Sequence, residues 1–436
     1  MLMHLVEQHV IGKSDPRFAA IDAAAFKAKN LYNAANYLVR QAFIFERRYV
    51  GYAELYHLIK QSEAYTALPR KVSNDVLRQL DKNWRAFFAA CEAYREDPSK
   101  FVGRPKLPKY KDKRSGRFLL IYDRQAISRR ALARGILVPS GLAIEVQTAQ
   151  KAVKQARIVP RIGFYVVEIV YEQHEAAPSG NPALHAAVDL GVDTLAAITS
   201  NKVGFFPRLV NGRSIKSTNQ FYNKRRAELQ TDLGHEGTTA RMERLTIKRT
   251  RRITHYLHAA SKTMIALLVS EGIGTLVIGK NLLWKQEIEL GRVNNQHFVQ
   301  IPHARFIDML TYKAQLAGIR VLVQEESYTS KASFLDSDPL PVYDAASQEK
   351  HAFSGKRVER GLYRASNGRR IQADVNGSYN IGRKAFPDSF GQGIEAVRAV
   401  RPVGLPISTV IQSRALDRAA VLPTRAELSM LCDTVY

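Results

Sequence analysis

The sequence predicts a multidomain protein, with an α/β domain in its second half and, in its first, helices followed by a small β domain. Three observations predict this. Apolar residues recur at helical spacing between Ile21 and Tyr94, short strand-like runs follow one another between Phe118 and Tyr171, and strands alternate with helices beyond Glu175 to Pro182 (EAAPSGNP), the clearest linker in the chain. A length of 436 residues suggests two or three domains.

A first strand-like stretch, His4 to Ile11, gives way at Asp15-Pro16 to helix. Phe26, Leu31, Tyr32, Tyr37, Phe43 and Phe45 recur at spacings of three and four across a helical region from Ile21 to Tyr49. Further helices are expected at Tyr52 to Ser62 and at Ser73 to Tyr94, the last with Ser73 as N-cap and Val76, Leu80, Trp84, Phe87 and Phe88 on one side. That aromatic stripe reads as helix core rather than as a base-stacking platform. Pro98 and GRPKLPKYK end the helical pattern. Strand-like runs at Phe118 to Tyr122, Gly135 to Val138, Leu142 to Val146, Ala156 to Val159 and Gly163 to Tyr171 then suggest a small barrel or sandwich.

Beyond the linker, strands are expected at Ala183 to Asp189, Leu195 to Thr199 and Val203 to Val210. A long basic helix from about Thr238 to Glu271, a strand at Thr275 to Ile278, a helix at His303 to Ala317 and a strand at Arg320 to Val323 follow. Ser333 to Gly368 reads as polar and irregular, and Asp374 to Lys384 as a last helix. Three early strands followed by α, β, α, β and α is the order of a ribonuclease-H-like α/β fold.

Charge narrows the choice of partner. Lys and Arg number 65 against 40 Asp and Glu, a formal net charge of +25, while 45% hydrophobic residues are enough to bury a core. The composition excludes a disordered polycation, and the absence of a long apolar run argues against a membrane-spanning protein. Two cysteines, Cys91 and Cys432, can build neither a disulfide framework nor a cysteine-rich zinc site. His, Glu and Gln interrupt the N-terminus before any signal-peptide core, so a cytosolic protein is expected. The basic residues cluster: Lys100 to Arg134 holds twelve Lys or Arg against Asp112 and Asp123, and Arg241 to Arg252 and Lys356 to Arg370 form two more groups. One such run is an ordinary solvated face. Three under so large a total point to nucleic acid, bound through phosphates with strong salt dependence. Arg104, Lys106, Lys109, Lys111, Lys113, Arg114, Arg117, Arg249, Arg251 and Arg252 are the candidate contacts.

The acids suggest chemistry. Asp189, in AAVDLGVDTLAAITS, ends the first strand of the α/β half, where open sheets place ligand-binding groups. Gly191 would let the backbone turn tightly there and leave room for a metal or phosphate, although Asp-x-Gly is also a common turn. Asp374, in IQADVNGSYNIGRK, starts a helix, where Asp is an ordinary N-cap. Glu325 and Glu326 directly follow the strand Arg320 to Val323, and adjacent carboxylates repel unless cations answer them. Carboxylates meeting at one sheet end suit Mg²⁺, and two such ions can activate water for phosphodiester cleavage. His255 and His258 more naturally pack or meet phosphate than bind metal, and Trp284 and Lys285 beside Gly279-Lys280-Asn281 fit a backbone contact and a strand cap equally.

AVDLGVDTLAAITSN, NQFYNKRRAELQ, HYLHAAS, YKAQLAGIRVLV, YTSKAS and ADVNGSYNIGRK together resemble, in order and spacing, the RuvC nuclease domain of the TnpB family, transposon-encoded RNA-guided nucleases related to type V CRISPR effectors. The resemblance runs from LYNAANYLVRQAF to ADVNGSYNI, and GRPKLPKYK is similar to the family's stretch ahead of its wedge barrel. It implies a wedge-like β-barrel from residues 1–14 and 98–175, a helical recognition lobe at 15–97, a RuvC-like domain at 183–386 with an insert at about 327–372, and a partly ordered tail at 387–436. It also implies an RNA-guided DNA endonuclease of a mobile element, in a prokaryotic-type, nucleoid-associated cytosol. Mg²⁺, two ions of it, and a guide RNA would be its cofactors, and double-stranded target DNA with a short flanking motif its partner. Asp189, Glu326 and Asp374 would hold the Mg²⁺, with Glu325 as second choice for the glutamate.

Two departures stand out. The family's catalytic Glu follows the strand that here ends in LVIGKN, and this chain has Gly279 there; relatives with a Glu shortly before YTS resemble it in this respect. The family's four zinc-ribbon cysteines are missing, with Ser333 in the place of the first, so no zinc is expected. The broken glutamate also admits a nuclease-dead, RNA-guided DNA-binding repressor.

Overall fold

The computed structural model describes residues 2–234, 237–280, 300–343, 351–359, 361–390 and 402–407. The chain divides into two compact units, one from Leu2 to Gln173 and one that begins at His174.

In the first unit, strand β1 (Leu2–Gly12) precedes helices α1 (Phe18–Phe45), α2 (Tyr52–Ile59), α3 (Glu63–Thr66) and α4 (Arg70–Glu96). Strand β2 (Leu120–Asp123), helix α5 (Arg129–Ala133), the short strands β3 (Ile136–Leu137) and β4 (Val146–Gln147), and the long hairpin β5 (Val153–Arg161) and β6 (Phe164–His174) follow. The main sheet has the order β1-β6-β5-β2, and β3 and β4 form a separate pair. Residues 142–145, expected as strand, run outside any strand before β4. The helical periodicity is explained by one core: Ile21, Leu31, Tyr32 and Val39 of α1 bury with Val76, Leu80 and Trp84 of α4 and with Leu120 and Ile158 of the sheet. Ser73 is not a cap. Helix α4 begins at Arg70, and the Ser73 hydroxyl, inside its first turn, donates to the Tyr65 carbonyl at 2.7 Å.

The second unit opens with β7 (Asn181–Leu190), β8 (Thr194–Ser200) and β9 (Arg208–Asn211), then α6 (Arg213–Leu233) and α7 (Ala240–Ser270). Strand β10 (Ile273–Gly279), α8 (His303–Leu316) and β11 (Arg320–Gln324) continue the alternation. A small antiparallel sheet of β12 (Lys356–Glu359), β13 (Leu362–Arg364) and β14 (Arg370–Gln372) occupies part of the stretch expected to be irregular, and α9 (Ala373–Ala385) follows it. Strand β15 (Val403–Gly404) pairs with β9, so this piece of the tail edges the sheet; apart from residues 402–407, the tail past Phe390, like Asn281, Trp284 and Lys285, lies outside the described residues.

The large sheet has the order β11-β10-β7-β8-β9-β15, with β8 antiparallel to both neighbours and β10 and β11 parallel to β7. The expected alternation of strands and helices is present, with two helices, α6 and α7, where one was expected. The hydropathy pattern accounts for it. Every residue of β10 (IGTLVIG) is buried, as a parallel strand covered on both faces requires, whereas β11 at the edge is half-exposed. Helix α6 contains NQFYNKRRAELQ, a stretch to which the sequence reading assigned no helix.

Candidate active site

The parallel register of the central strands builds the site. Ile278 lies level with Val188 of β7 and with Val323 of β11, so the next residues, Asp189 one position before the end of β7 and Gly279 and Gln324 at the ends of β10 and β11, come side by side. Parallel strands deliver their C-terminal ends to one edge, and the acids gather there.

Glu325 and Glu326 leave that edge in opposite circumstances. The Glu325 carboxylate accepts a hydrogen bond from Lys384 Nζ at 2.5 Å, and another from the Ser327 amide. Burial pushes its pKa up, but these bonds outweigh burial and bring it below the ordinary carboxylate range. Glu326 instead folds back over Gly279, since a Cβ built on Gly279 would fall within 3.0 Å of Glu326 Oε2 and 2.5 Å from Ile381 Cδ1. Burial first, and then Glu325, push the Glu326 pKa up to about 7, against the pull of Lys384. The glycine that breaks the expected motif is thus the space that the neighbouring strand's glutamate fills.

Asp189 faces helix α9. A Cβ on Gly377 would lie 2.6 Å from Asp189 Oδ2, so only glycine lets the helix pass this close. Burial, then the Glu326 and Asp374 charges, raise the Asp189 pKa well above the carboxylate range, and Arg357 on β12 offsets part of this. Asp374 sits in the first turn of α9, where the Gln372 amide donates to its Oδ2 at 2.9 Å. It is not the N-cap. Gln372 takes that position and its side chain accepts from the Val375 amide. Gly191 does allow the tight turn after Asp189, but the room beside it is filled by the Thr194 carbonyl, 2.7 Å from where a Cβ would stand.

The donor set suits a hard divalent cation: carboxylate oxygens, partly buried, whose mutual repulsion a cation would relieve. The side chains stand short of a formed metal cage, because among the described residues no three His, Cys, Asp or Glu are grouped to hold an ion.

Asn376, Ser378 and Asn380 fix α9. The Asn376 amide donates to the Ala332 carbonyl and its oxygen accepts from the Phe334 amide; Asn380 donates to the Thr329 and Ala332 carbonyls; Ser378 donates to Ala187 on β7. The insert is tied by acids where the resemblance expects cysteines. Asp338 accepts from the Ser333 and Ser354 amides and from the Ser354 hydroxyl, and Asp336 from the Ser366 amide and hydroxyl. Sequence reasoning missed Gly377, Lys384 and Arg357. A glycine inside a helix that also carries Asp374 was the available signal for the first.

The basic candidates divide. Arg104, Lys106, Lys109, Lys113 and Arg114 are exposed, as are Arg251 and Arg252, while Lys111 is half-buried. Arg117 is engaged inside the fold in a two-bond pair with Asp22, and Arg249 donates to Asn219 and to the Gln300 carbonyl over the Tyr222 ring. His258 is half-buried against Lys313, whose ammonium donates to the His258 carbonyl, and burial holds its imidazole pKa down at about 3. Among the described residues no helix is long and apolar enough to cross a membrane.

Two family models match the second unit's sequence. "Probable transposase" (OrfB_IS605) matches residues 168–285, which begin within β6, and "Cas12f1-like, TNB domain" matches 303–381. The TnpB-like protein ORF457 of Acidianus two-tailed virus is 24% identical over 395 residues, 81% of each chain. Among solved structures, a Cas12f1-sgRNA-target DNA complex aligns at 13% identity over 82% of this chain and 81% of that one, with a TM-score of 0.47. An AacC2c1-sgRNA binary complex aligns at 12% identity over 82% and 63%, with a TM-score of 0.33. A transposase model over residues 168–285, a Cas12f1-like model reaching α9, and a TnpB-like relative along most of its length make this chain similar to the TnpB family.

Proposed function

We propose that the protein is an RNA-guided DNA endonuclease of a mobile element, cleaving its target at the carboxylate corner of β7, β10, β11 and α9. The observation that carries this reading is the pairing of Gly279 with Glu326, which brings a glutamate to the strand end where the family's own is lost. Asp189, Glu326 and Asp374 would hold Mg²⁺, which when bound supplies an activated water and stabilises the leaving oxygen. The chain's own residues prepare the place. Lys384 engages Glu325 and so separates the two adjacent glutamates, Gly377 lets α9 bring Asp374 toward Asp189, and Arg357 contributes the nearby positive charge. A guide RNA would read the target by pairing, with the protein holding backbone and a short flanking motif in double-stranded DNA. The first unit would serve as wedge and recognition lobe.

The test is cleavage of a guide-matched DNA duplex in Mg²⁺, with target binding measured in parallel. Asp189→Asn and Glu326→Gln should each lower cleavage by more than about 10²-fold, the scale of losing one group that stabilises developing charge, with binding retained. Cleavage that survives Glu326→Gln but not Glu325→Gln would move the role to the neighbouring glutamate. A parent protein that binds and never cuts would make it a repressor.

A further inference from the structure

Helix α1 does more than pack. Four of its polar side chains, Lys29, Asn33, Asn36 and Arg40, are spaced by three or four residues and so share one face. All four reach the backbone of the basic segment that follows α4. Lys29 Nζ donates to the Lys113 carbonyl at 2.8 Å, and Asn33 both donates to the Lys111 carbonyl and accepts from its amide at 2.9 Å. Asn36 and Arg40 both donate to the Pro108 carbonyl. Asn36 is fully buried, and its oxygen accepts from the Trp84 indole on α4, which anchors the ladder in the core.

The segment is stiffened from within as well. Pro105 and Pro108 restrict their own φ and the residues before them. Asp112, its one acid between Gly103 and Arg117, is consumed by a turn, accepting from the Arg114 and Ser115 amides and the Ser115 hydroxyl. Backbone bonds therefore go inward while Arg104, Lys106, Lys109, Lys113 and Arg114 stay exposed. Lys29 is buried beneath a basic strap: burial and then Arg117 hold its pKa down, Asp112 offsets part of this, and Lys113 adds to it. Two rings add a second chemistry. Tyr37 on α1 is 54% exposed and Tyr110 on the strap 44%, with the Arg40 guanidinium 5.0 Å over the Tyr110 ring.

We propose that the strap from Arg104 to Arg117, held by the α1 ladder, is a preformed docking surface for an unpaired polynucleotide strand, with Lys109, Lys113 and Arg114 on its phosphates and Tyr110 and Tyr37 under its bases. Basic side chains interleaved with exposed rings match single strands, whose bases are free to stack, better than a closed duplex. Holding the backbone beforehand reduces the ordering cost of binding. The inference rests on the nucleic-acid reading above but not on cleavage.

The test uses the full chain carrying Asp189→Asn, so binding is read without cutting, with labelled oligo-U, oligo-dT and a blunt DNA duplex over a salt series. The combined Lys109→Ala, Lys113→Ala and Arg114→Ala variant should flatten the plot of log affinity against log salt on single strands by about 2 units, near 0.7 for each lost phosphate contact. Tyr110→Ala, at an exposed position, should weaken both single strands by about 5- to 100-fold, the range for losing one stacked base, and leave the duplex unchanged. Asn33→Ala, which keeps the charge, should weaken single-strand binding several-fold with the salt slope preserved. The two oligonucleotides decide whether RNA or DNA is the better occupant. An unchanged slope in the triple variant, or equal losses on duplex and single strand for Tyr110→Ala, overturns the proposal. If the parent never cleaves while these losses occur, the nuclease reading falls and the strap stands.

Discussion

The basic strap on α1 and the carboxylate corner at the ends of β7, β10 and β11 each gather charge of one sign, and they handle it differently. On the strap the chain supplies the backbone's partners through Lys29, Asn33, Asn36 and Arg40, and the charged heads stay in water. In the corner burial, and then repulsion from neighbouring carboxylates, raise the Asp189 and Glu326 pKa values. Glu325 and Glu326 show the contrast within two residues, because Lys384 settles the first and leaves the second raised. Charge that the chain itself answers holds shape. Charge gathered and left raised marks a place for a ligand, since shifted carboxylates collect where chemistry is done.

Four measurements would break or sharpen this contrast. The largest effect is expected from Gly279→Ala, whose methyl would collide with Glu326 Oε2 and Ile381. Overpacking of this kind costs about 1–3 kcal/mol. If the corner works through Glu326, cleavage should fall by more than tenfold, and the loss should not add to that of Glu326→Gln. Full additivity in that double mutant would separate the glycine from the glutamate.

His185, buried in the middle of β7, packs its ring 4.6 Å from that of Phe386, and burial lowers its pKa to about 4 from an ordinary 6.5. Its folded form therefore resists protonation while the unfolded form accepts it, so stability should be lost as pH falls from 6.5 toward 4. The full loss is about 3 kcal/mol, at about 1.4 kcal/mol for each pKa unit. Denaturant midpoints across that window should drop for the parent and stay flatter for His185→Phe; parallel curves would refute the assignment.

Asp338 tests whether acids replace a metal in the insert. Asp338→Ala leaves the buried Ser333 amide without its acceptor and should cost about 2 kcal/mol, read as a lower thermal midpoint. A zinc chelator should leave the parent's midpoint where it was. A fall on chelation would place a metal where none is expected.

The smallest effect has the opposite sign. Asp189→Asn removes one member of a repelling set, so in the absence of Mg²⁺ it should raise stability by about 1 kcal/mol, as active-site substitutions can when strain is relieved. A destabilised Asp189→Asn would mean that the corner is held together by that carboxylate rather than strained by it.

The alternation of strands and helices in the second unit was legible in the sequence because their periods differ and β10 is largely apolar, whereas the order of the strands in the sheet came only from the structure. Asp189, Asp374 and the pair Glu325 and Glu326 were named from their places at strand and helix ends, and the choice of Glu326 within the pair came from the resemblance to relatives. The misses share a cause. Ser73 and Asp374 look like N-caps in isolation, yet helix α4 starts earlier at Arg70 and Gln372 caps α9, since packing against the core, rather than local propensity, places a helix start. Arg117 and Arg249 look like phosphate ligands until Asp22 and Asn219 meet them. Insert residues 333–368 looked irregular because Tyr363 and Ile371 reveal a buried face only once Phe334 and Tyr379 pack on it.

By itself, then, the sequence determined the alternation of elements, the excess of positive charge and which carboxylates end a strand or open a helix, because these follow from periodicity and composition within a few residues. The tertiary structure alone decided that Gly279 makes room for Glu326, that Gly377 admits Asp189, that Lys384 engages Glu325, and that α1 holds the strap. Each of these joins residues from about 45 to nearly 190 positions apart, where register and close packing select the partner.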